Sequence, residues 1–252
     1  QREHRQLPGP AAVSPCPRRG ASAIGPFVAT TLRARGSWRD LAGAAIALGV
    51  CACTVPPNDV QDRADLPFTD DFERAELGET WRVTGGHWTI DDGAAFSSGA
   101  QNQPLFLEVA LPPDVVVEVD VTSDTRTVDA KVELMTDGRR HQTGYIFILG
   151  GWDNTISTIA RLDEHERGRT EKRPTGVVGR RTYRWRIEKK GGHLRWLIDG
   201  EPYLERTDPA PLDGPGHDRL AFSNWLNQVR YDDLRIWAYD QAPPPSGPAR
   251  AR

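Results

Sequence analysis

Short apolar runs with a period of two residues follow one another between residues 68 and 237, and this pattern constrains the fold more than any other feature. In residues 115–121 the valines occupy alternate positions with Glu118 and Asp120 between them, which predicts a strand with one buried face. No window in this range has a convincing apolar period of 3.6 residues. About a dozen closely spaced strands predict two antiparallel sheets packed face to face, an all-β sandwich.

Residues 144–165 are predicted to form the central hairpin of this sandwich. The first run, residues 145–149, is rich in β-branched and aromatic residues and ends at two glycines, which is typical of a strand buried on both faces. A second run, residues 155–162, follows a turn-like segment and ends in polar residues. The hairpin therefore carries aromatic, amide and ionisable side chains at its ends, where we expect a binding site.

The charge and cysteine content exclude some classes of function. The formal net charge of the chain is -3, so no basic field favours binding to nucleic acid or to an anionic membrane surface. The three cysteines, Cys16, Cys51 and Cys53, all lie in the first quarter of the chain. The sandwich is therefore expected to fold on its apolar core, as a monomer, without disulfides or a required cofactor.

The first 53 residues have the pattern of a targeting segment. Residues 1–30 are rich in Pro, Arg and Gly, and we expect them to be disordered or to precede the true start, since the only methionine is Met135. Residues 31–53 combine a basic stretch with an apolar run, residues 41–50, that is typical of a secretory signal and too short to span a bilayer.

The end of that run resembles a bacterial lipoprotein box. Cys53 follows the small residue Ala52 and is the predicted lipidation site, whereas Cys51 follows the bulkier Val50. An ordinary cleaved signal is the alternative. Both interpretations predict a protein of the bacterial cell envelope, lipid-anchored or extracellular, which touches the membrane only through its anchor. Residues 54–66 are the expected linker, 67–240 the sandwich domain and 241–252 a disordered tail.

Several motifs in the sandwich resemble the concanavalin A-like lectin/glucanase jelly-roll superfamily, near bacterial 3-keto-disaccharide hydrolase-like domains. The motifs are residues 68–73, Trp81, residues 86–93, residues 196–200 and residues 232–236. The resemblance implies a jelly roll, a fold that carries lectins, hydrolases and inert modules alike. No catalytic motif of the laminarinase type (two glutamates flanking an aspartate on one strand) or of the keto-sugar hydrolases can be placed, which argues against catalysis.

Two groups of side chains predict a carbohydrate-binding surface, because sugars are bound by aromatic faces together with amides, carboxylates and guanidinium groups. The group on the central hairpin comprises His141, Tyr145, Trp152, Asn154, Arg161, Asp163, Glu164 and His165. The group before the last strand comprises His217, Asn224 and Trp225. We expect the two groups to meet on a concave sheet whose curved outer surface is free. The alternative is that the aromatics are core and the charged residues a solvated loop.

Carboxylates supply two further candidates. Glycoside hydrolysis needs two carboxyl groups, about 5–5.5 Å apart for retention or about 6.5–9.5 Å for inversion. The pair Glu118 and Asp120, or a set of Asp163, Glu164 and Glu133, could supply them, and no catalytic residue is assigned.

A structural calcium ion is the second candidate. Jelly rolls often pair their first and last strands, and carboxylates there could hold Ca²⁺ through oxygen ligands. The residues concerned are Asp70, Asp71, Asp232 and Asp233.

The sequence thus predicts an extracytoplasmic, lipid-anchored module that binds an oligo- or polysaccharide without chemistry of its own. The alternatives are a glycoside or 3-keto-disaccharide hydrolase and an envelope or interaction module. An open groove lined by Trp152, Asn154 and Trp225 would favour binding, and two carboxylates in a groove would favour hydrolysis. A sheet face filled by aliphatic side chains would favour a scaffold.

Overall fold

The computed structural model describes residues 66–245, and almost every regular element in this range is a strand. The strands of the first half are β1 (Phe68–Asp70), β2 (Trp81–Val83), β3 (His87–Asp91), β4 (Ala94–Ser98), β5 (Leu105–Leu107), β6 (Val115–Ser123), β7 (Ala130–Thr136) and β8 (Tyr145–Gly150). Those of the second half are β9 (Ile156–Arg161), β10 (Thr170–Lys172), β11 (Thr182–Lys190), β12 (His193–Ile198), β13 (Glu201–Thr207), β14 (Arg219–Asn224) and β15 (Gln228–Ala238). A single helical turn, α1 (Gly151–Asn154), joins β8 to β9.

The strands form two antiparallel sheets. The eight-stranded sheet has the order β13-β12-β11-β6-β15-β4-β3, and β1 also pairs with β15. The seven-stranded sheet has the order β10-β9-β8-β7-β14-β5-β2. The predicted all-β sandwich is therefore confirmed. Because β14 lies beside the central strand β7, the residues after β14 come close to the end of the hairpin formed by β8 and β9.

Period-two alternation decides which side chains fill the core. Tyr183, Trp185 and Ile187 of β11 point inward, as predicted, and pack with the inward side chains of the other sheet. Phe147 of β8 meets Trp196 of β12 in a T-shaped contact with the ring centroids 5.7 Å apart, and this contact joins the two sheets. Strand β8 is buried on both faces, as its continuous apolar run predicts.

Sequence reasoning missed the short and edge strands. Strand β13 carries a proline and is mostly exposed or half-buried, so its sequence shows no alternation of buried and exposed positions. Strands β2 and β10 have three residues each, too few to show a period.

The targeting segment lies outside the described residues. The predicted signal of residues 31–53, the lipidation site Cys53, the alternative Cys51 and nearly all of the linker precede residue 66. From residue 66 to residue 245, no helix has the length and apolar character needed to cross a membrane.

Candidate functional site

The outer face of the seven-stranded sheet is mostly covered. Ile146 and Ile148 of β8 form a small apolar cluster with Ala160 of β9, and Trp152 packs on this cluster. Glu133 of β7 points to the same face and is fully buried. The expectation that this surface is free is therefore wrong for most of the face, because neighbouring loops and the Trp152 ring lie over it.

A pocket of about 710 Å³ remains at one end of this face, which we call the sheet-end pocket. It lies where β7 begins and where β8 and β14 end. Of the predicted ligand-binding residues, Trp152, Glu164, His165 and Trp225 line it. The structure thus brings together parts of both predicted groups in one cavity.

Trp152 and Asp153 reach the sheet-end pocket on a left-handed turn. The φ angles of Trp152, Asp153 and Asn154 are 50°, 57° and 62°, a conformation that costs roughly 1–2 kcal/mol for each L-residue. Gly150 precedes the turn with a φ of 64°, and a Cβ there would lie 2.5 Å from Oδ1 of Asn154. Backbone strain of this kind persists only where the surroundings hold it, and it is concentrated at functional sites.

Asn154 holds this turn in place. Its Oδ1 accepts a hydrogen bond from the backbone N–H of Val128 at 2.8 Å, and its Nδ2 donates to the backbone oxygen of Arg126 at 3.1 Å. Thr175 donates its hydroxyl to the backbone oxygen of Asn154 at 2.6 Å. The predicted ligand residue Asn154 therefore does not line the pocket: both ends of its amide bind the backbone, and it positions Trp152.

A lysine that the sequence analysis did not single out forms the floor of the pocket. The side chain of Lys131 is only 3% exposed, and a buried ammonium group must be paired. Its Nζ donates to Oδ1 of Asn102 at 2.6 Å and to Oε2 of Glu164 at 2.7 Å. Oδ1 of Asp129 is 3.8 Å away. The ammonium thus ties three segments of the chain together below the pocket.

Among the carboxylates of the sheet-end pocket, Glu164 has the most contacts with cationic or titratable side chains. Its Oε1 accepts a hydrogen bond from Nδ2 of Asn102 at 3.3 Å and lies 3.5 Å from Nε2 of His165, while its Oε2 lies 3.7 Å from Nε2 of His141. Burial opposes its ionisation, but the contacts with His141 and Lys131 outweigh burial and lower the pKa of Glu164 to about 2.

His141 lies between Glu164, which lines the pocket, and the fully buried Glu133. Its Nδ1 lies 2.7 Å from Oε1 of Glu133, which also accepts a hydrogen bond from the hydroxyl of Ser223 at 2.6 Å. Burial would lower the pKa of His141, but its contacts with Glu133 and Glu164 raise it to about 9. His141 is therefore an imidazolium at neutral pH. The candidate carboxylates Glu133 and Glu164 do come together, on either side of this ring, but Glu133 has no access to solvent.

Asp129 is a pocket carboxylate with one oxygen that receives no hydrogen bond from the described part of the chain, although the ammonium of Lys131 lies 3.8 Å from it. Its Oδ1 is buried and accepts no hydrogen bond from residues 66–245. Burial raises the pKa of Asp129 to about 6, although the charge of Lys131 opposes this rise. The sequence analysis missed Asp129 and Lys131, although their alternation with Glu133 along β7 indicates one shared face.

Trp225 and Leu226 form the rim opposite Trp152. They follow β14 directly and are 47% and 51% exposed. Leu226 also has a positive φ of 60°. Adjacent exposed apolar side chains beside a polar cavity are a frequent feature of binding sites.

Like His141 and Asn154, three further predicted ligand residues of the hairpin group do not line the pocket. Tyr145 is fully buried in the core, and its hydroxyl donates to Oδ2 of Asp208 at 2.7 Å. Arg161 donates to the same oxygen at 2.8 Å. Asp163 uses its Oδ1 to accept the backbone N–H of His165 at 2.8 Å. Alternation places Tyr145 with the inward residues of β8, so its ring points away from the outer face.

Two residues around β14 also have structural contacts. Nδ1 of His217 lies 3.2 Å from the backbone oxygen of Met135, beyond the opposite end of β14 from Trp225. Asn224 is fully buried, accepts a hydrogen bond from the hydroxyl of Ser97 at 3.0 Å and donates to the backbone oxygen of Asn227 at 2.6 Å. Neither side chain lines the sheet-end pocket.

The other carboxylate candidates have arginine or backbone partners. On the outer face of the eight-stranded sheet, Asp120 pairs with Arg184 at 3.0 Å and Glu118 pairs with Arg186 at 3.0 Å. Glu118 also binds Arg235. These two carboxylates therefore belong to a ladder of ion pairs rather than to a groove.

The predicted calcium ligands lie where β1 pairs with β15, and they too have other contacts. Asp70 pairs with Arg74 at 2.5 Å, Asp71 accepts the backbone N–H of Glu73 at 3.1 Å, and Asp232 accepts that of Asp233 at 2.7 Å. Among residues 66–245, no group of three or more His, Cys, Asp and Glu side chains could hold a metal ion. The calcium site stays a prediction.

Comparison with known proteins identifies the class of fold. No protein-family model and no curated protein matches the sequence. Solved structures do match: the carbohydrate-binding module CBM66 from Bacillus subtilis has a TM-score of 0.52 at 13% identity, over 63% of this chain and 96% of that chain. The β-1,3-1,4-glucanase (lichenase) from a mouse hindgut metagenome has a TM-score of 0.51 at 12% identity, over 68% and 98%.

A glycosyl hydrolase family protein from Mycobacterium fortuitum is also similar, with a TM-score of 0.50 at 14% identity over 68% of this chain and 98% of that chain. At these identities the likeness concerns the fold. The chain shares the two-sheet antiparallel sandwich fold of these structures, which agrees with the jelly roll implied by its sequence motifs.

Proposed function

We propose that this chain is a carbohydrate-binding module that holds part of an oligo- or polysaccharide in the sheet-end pocket. The observation that carries the proposal is the juxtaposition of an exposed indole, Trp225, with a polar floor built around Asp129 and Lys131. A sugar ring stacks its C–H groups on an aromatic face, and its hydroxyls need charged or amide partners. The cavity also has the size of ordinary small-ligand sites.

The two tryptophans have different roles in this proposal. Trp152 packs on the apolar cluster of β8 and β9, the guanidinium of Arg169 lies 4.7 Å from its ring centroid, and the ring of His165 meets it edge-on at 5.5 Å. Trp152 is therefore a wall of the pocket. Trp225 is far more exposed and is the platform on which a sugar ring would stack.

The fold likeness supports the proposal in general terms, because the similar structures include a carbohydrate-binding module and a glucanase. It does not identify the sugar. The class of sugar has to be inferred from the residues that line the pocket.

Substitution of Trp225 tests the proposal. A glycan array with the full chain should give at least one ligand, and Trp225→Ala should weaken retention on that immobilised glycan about tenfold or more, since aromatic anchors carry much of the energy of an interface. The matched control is Val178→Ala, another exposed apolar residue, 58% exposed and outside the pocket lining. A wild-type chain that binds no glycan, or a Trp225→Ala chain that binds as well as wild type, would contradict the proposal.

Hydrolysis of a glycosidic bond is a second candidate, favoured by one observation. Asp129 and Glu164 contact the same ammonium, that of Lys131, and their pKa values are about 6 and about 2. Two carboxyl groups whose pKa values are pushed apart are the usual acid and base of glycosidases. Release of reducing ends from a bound oligosaccharide, lost in Asp129→Asn, would support hydrolysis, and a bound oligosaccharide that stays intact would oppose it.

We also propose that the module is displayed outside the cytoplasm on a lipid anchor at Cys53, on the basis of the apolar run at residues 41–50 and the small residue before this cysteine. Cys53→Ser should release the protein from the membrane fraction of a bacterial host, and Cys51→Ser should not. Unchanged fractionation of Cys53→Ser would reject the anchor.

A further inference from the structure

We infer that the sheet-end pocket selects a sugar with a protonated amino group, such as a 2-amino-2-deoxyhexose unit, over neutral and acidic sugars. This inference rests on the proposed function and deepens it by naming the chemical class of the ligand. It follows from the charges that line the cavity and from which of them already have partners.

Carboxylates outnumber cations in this pocket. Asp129, Asp153 and Glu164 line it, whereas Lys131 is the one lysine or arginine among its described lining residues, and His165 is the remaining titratable group. The balance is therefore negative at neutral pH. A negative cavity with an indole at its rim is suited to a cation, which is attracted both by the carboxylates and by the face of the ring.

The nearby cations are not available to an acidic ligand. Lys131 is 3% exposed, and its Nζ lies within 4 Å of oxygens of Asn102, Glu164 and Asp129. Arg169, beside Trp152, donates to the backbone oxygen of Glu164 and pairs with the side chain of Glu171. A uronic or sialic acid would therefore meet carboxylates without gaining a cation of its own, which is unfavourable for a buried charge.

Two of the three carboxylates retain acceptor capacity. Glu164 already contacts Lys131, Asn102 and two histidine rings. Asp129, by contrast, lines the cavity, and its Oδ1 accepts no hydrogen bond from residues 66–245. Asp153 is exposed at the rim on the strained left-handed turn, and its side chain forms no hydrogen bond or ion pair with another residue in the range 66–245.

An alkylammonium group is the sugar substituent that fits these two acceptors best. It brings three N–H donors and a positive charge to Asp153, which has no cation partner among residues 66–245, and to Asp129, whose Oδ1 is 3.8 Å from the ammonium of Lys131 and accepts no hydrogen bond from it. Hydrogen bonds between charged partners are about twice as strong as neutral ones. A hydroxyl brings one donor and no charge. An acetylated amine loses the charge and adds a carbonyl acceptor, which would lie among carboxylate oxygens.

Four oligosaccharides of equal length test the inference with the full-length chain. A fully deacetylated glucosamine tetramer is compared by calorimetric titration with the N-acetylglucosamine, glucose and glucuronic acid tetramers. We expect the glucosamine tetramer to bind about tenfold more tightly than the other three, with an advantage that shrinks as salt is raised.

The outcomes separate the inference from the proposed function. Equal binding of the neutral tetramers, or tighter binding of the acidic one, overturns the inference and leaves carbohydrate binding in place. Binding of none of the four, together with an empty glycan array, overturns both.

Two variants tie the preference to the pocket. Asp129→Asn keeps the side-chain shape, and asparagine tolerates the positive φ of 34° at this position. It should abolish the advantage of the glucosamine tetramer over the other three tetramers. Asp153→Asn should reduce the advantage without a risk to folding, because Asp153 is exposed. Asp240→Asn, an 83% exposed carboxylate beyond β15, is the control for general charge. An advantage that survives both pocket variants contradicts the inference.

Discussion

The outer faces of the two sheets carry the same kinds of charged residues in opposite environments. On the eight-stranded sheet, Glu118, Arg184 and Arg186 form a ladder of ion pairs, and their side chains are between 12% and 34% exposed. On the seven-stranded sheet, Glu133 and Lys131 are no more than 3% exposed. Solvated pairs contribute little to stability, whereas a buried charge depends strongly on its partner. Substitution of the more exposed ion pairs of the eight-stranded sheet should therefore cost less stability than substitution of Glu133 or Lys131.

Burial, rather than alternation, distinguishes the face that carries the proposed binding site. Alternation alone places Glu118 with Asp120 and Lys131 with Glu133 in the same way. Only the chain segments that cover β7 and β8 separate the two cases, because they remove water from one face and leave it on the other. The raised pKa of His141, about 9, and the lowered pKa of Glu164, about 2, both arise on the covered face.

The largest expected effect on the free energy of unfolding follows from substitution of the buried Glu133. Glu133→Ala leaves the imidazolium of His141 and the hydroxyl of Ser223 without their partner, and it should lower the free energy of unfolding by about 3–5 kcal/mol. On the other sheet, Glu205→Ala removes a half-exposed partner of Arg195 and should cost less than about 1 kcal/mol. Urea denaturation of both variants measures the contrast, and equal losses would refute it.

A wall tryptophan should matter for folding more than a rim tryptophan. Trp152→Ala removes the ring that covers Ile146 and Ile148, and it should lower the free energy of unfolding by about 3 kcal/mol. Trp225→Ala should change it by less than about 0.5 kcal/mol, since this side chain is 47% exposed. Thermal unfolding of the two variants gives the answer. A larger loss of stability for Trp225→Ala than for Trp152→Ala would show that Trp225, and not Trp152, is the structural tryptophan of the pocket.

The imidazolium of His141 should make stability depend on alkaline pH. Its pKa is raised from 6.5 to about 9, so the stabilisation is fully present below about pH 6.5 and is lost as pH rises through about 9. We expect a loss on the order of 2 kcal/mol between neutral pH and about pH 10, measured by urea midpoints. The variant His141→Gln should not show this loss of stability at alkaline pH. The same alkaline loss in wild type and variant would contradict the assignment.

The smallest expected effect concerns ligand binding in mild acid. The pKa of Asp129 is about 6, so its negative charge is present above this pH and is lost below it. The other charged or titratable groups that line the cavity are Lys131, Glu164, Asp153 and His165. The affinity of the wild-type chain for an amino sugar, relative to that of Asp129→Asn, should fall several-fold as pH decreases through about 6, and this ratio cancels the titration of the ligand's own amine. Calorimetric titrations of both chains with the amino sugar at about pH 7 and about pH 5 measure this change in affinity. The same change in wild type and variant would mean that a group other than Asp129 causes it.

The fold could be predicted because its signal is local and repeated. The hairpin of β3 and β4, the valines of β6 and the aromatic residues of β11 all show their faces in the sequence. The continuous apolar run of β8 predicts a strand buried on both faces. Such a strand must be covered by other parts of the chain on its outer side, so the run itself argues against a free outer surface.

The site could be predicted only in part. Trp152, Glu164, His165 and Trp225 were found because polar and aromatic residues follow the ends of β8, β9 and β14. Asp129 and Lys131 were missed because their burial depends on Asn102 and Glu164, which are distant in sequence. Tyr145 was predicted as a ligand residue although alternation places it with Phe147 on the inward face of β8. What no local pattern indicates is the buried partner of its hydroxyl, Asp208.

Trp225 also provides an intrinsic fluorescent probe of the pocket. It is the only tryptophan among residues 66–245 whose side chain is largely in contact with water, whereas Trp81, Trp88, Trp185, Trp196 and Trp237 are buried. Its emission should therefore lie to the red of theirs and should be the component that acrylamide quenches first. A molecule seated against the indole would shield it from the quencher. Occupancy could then be followed by fluorescence in the unlabelled protein.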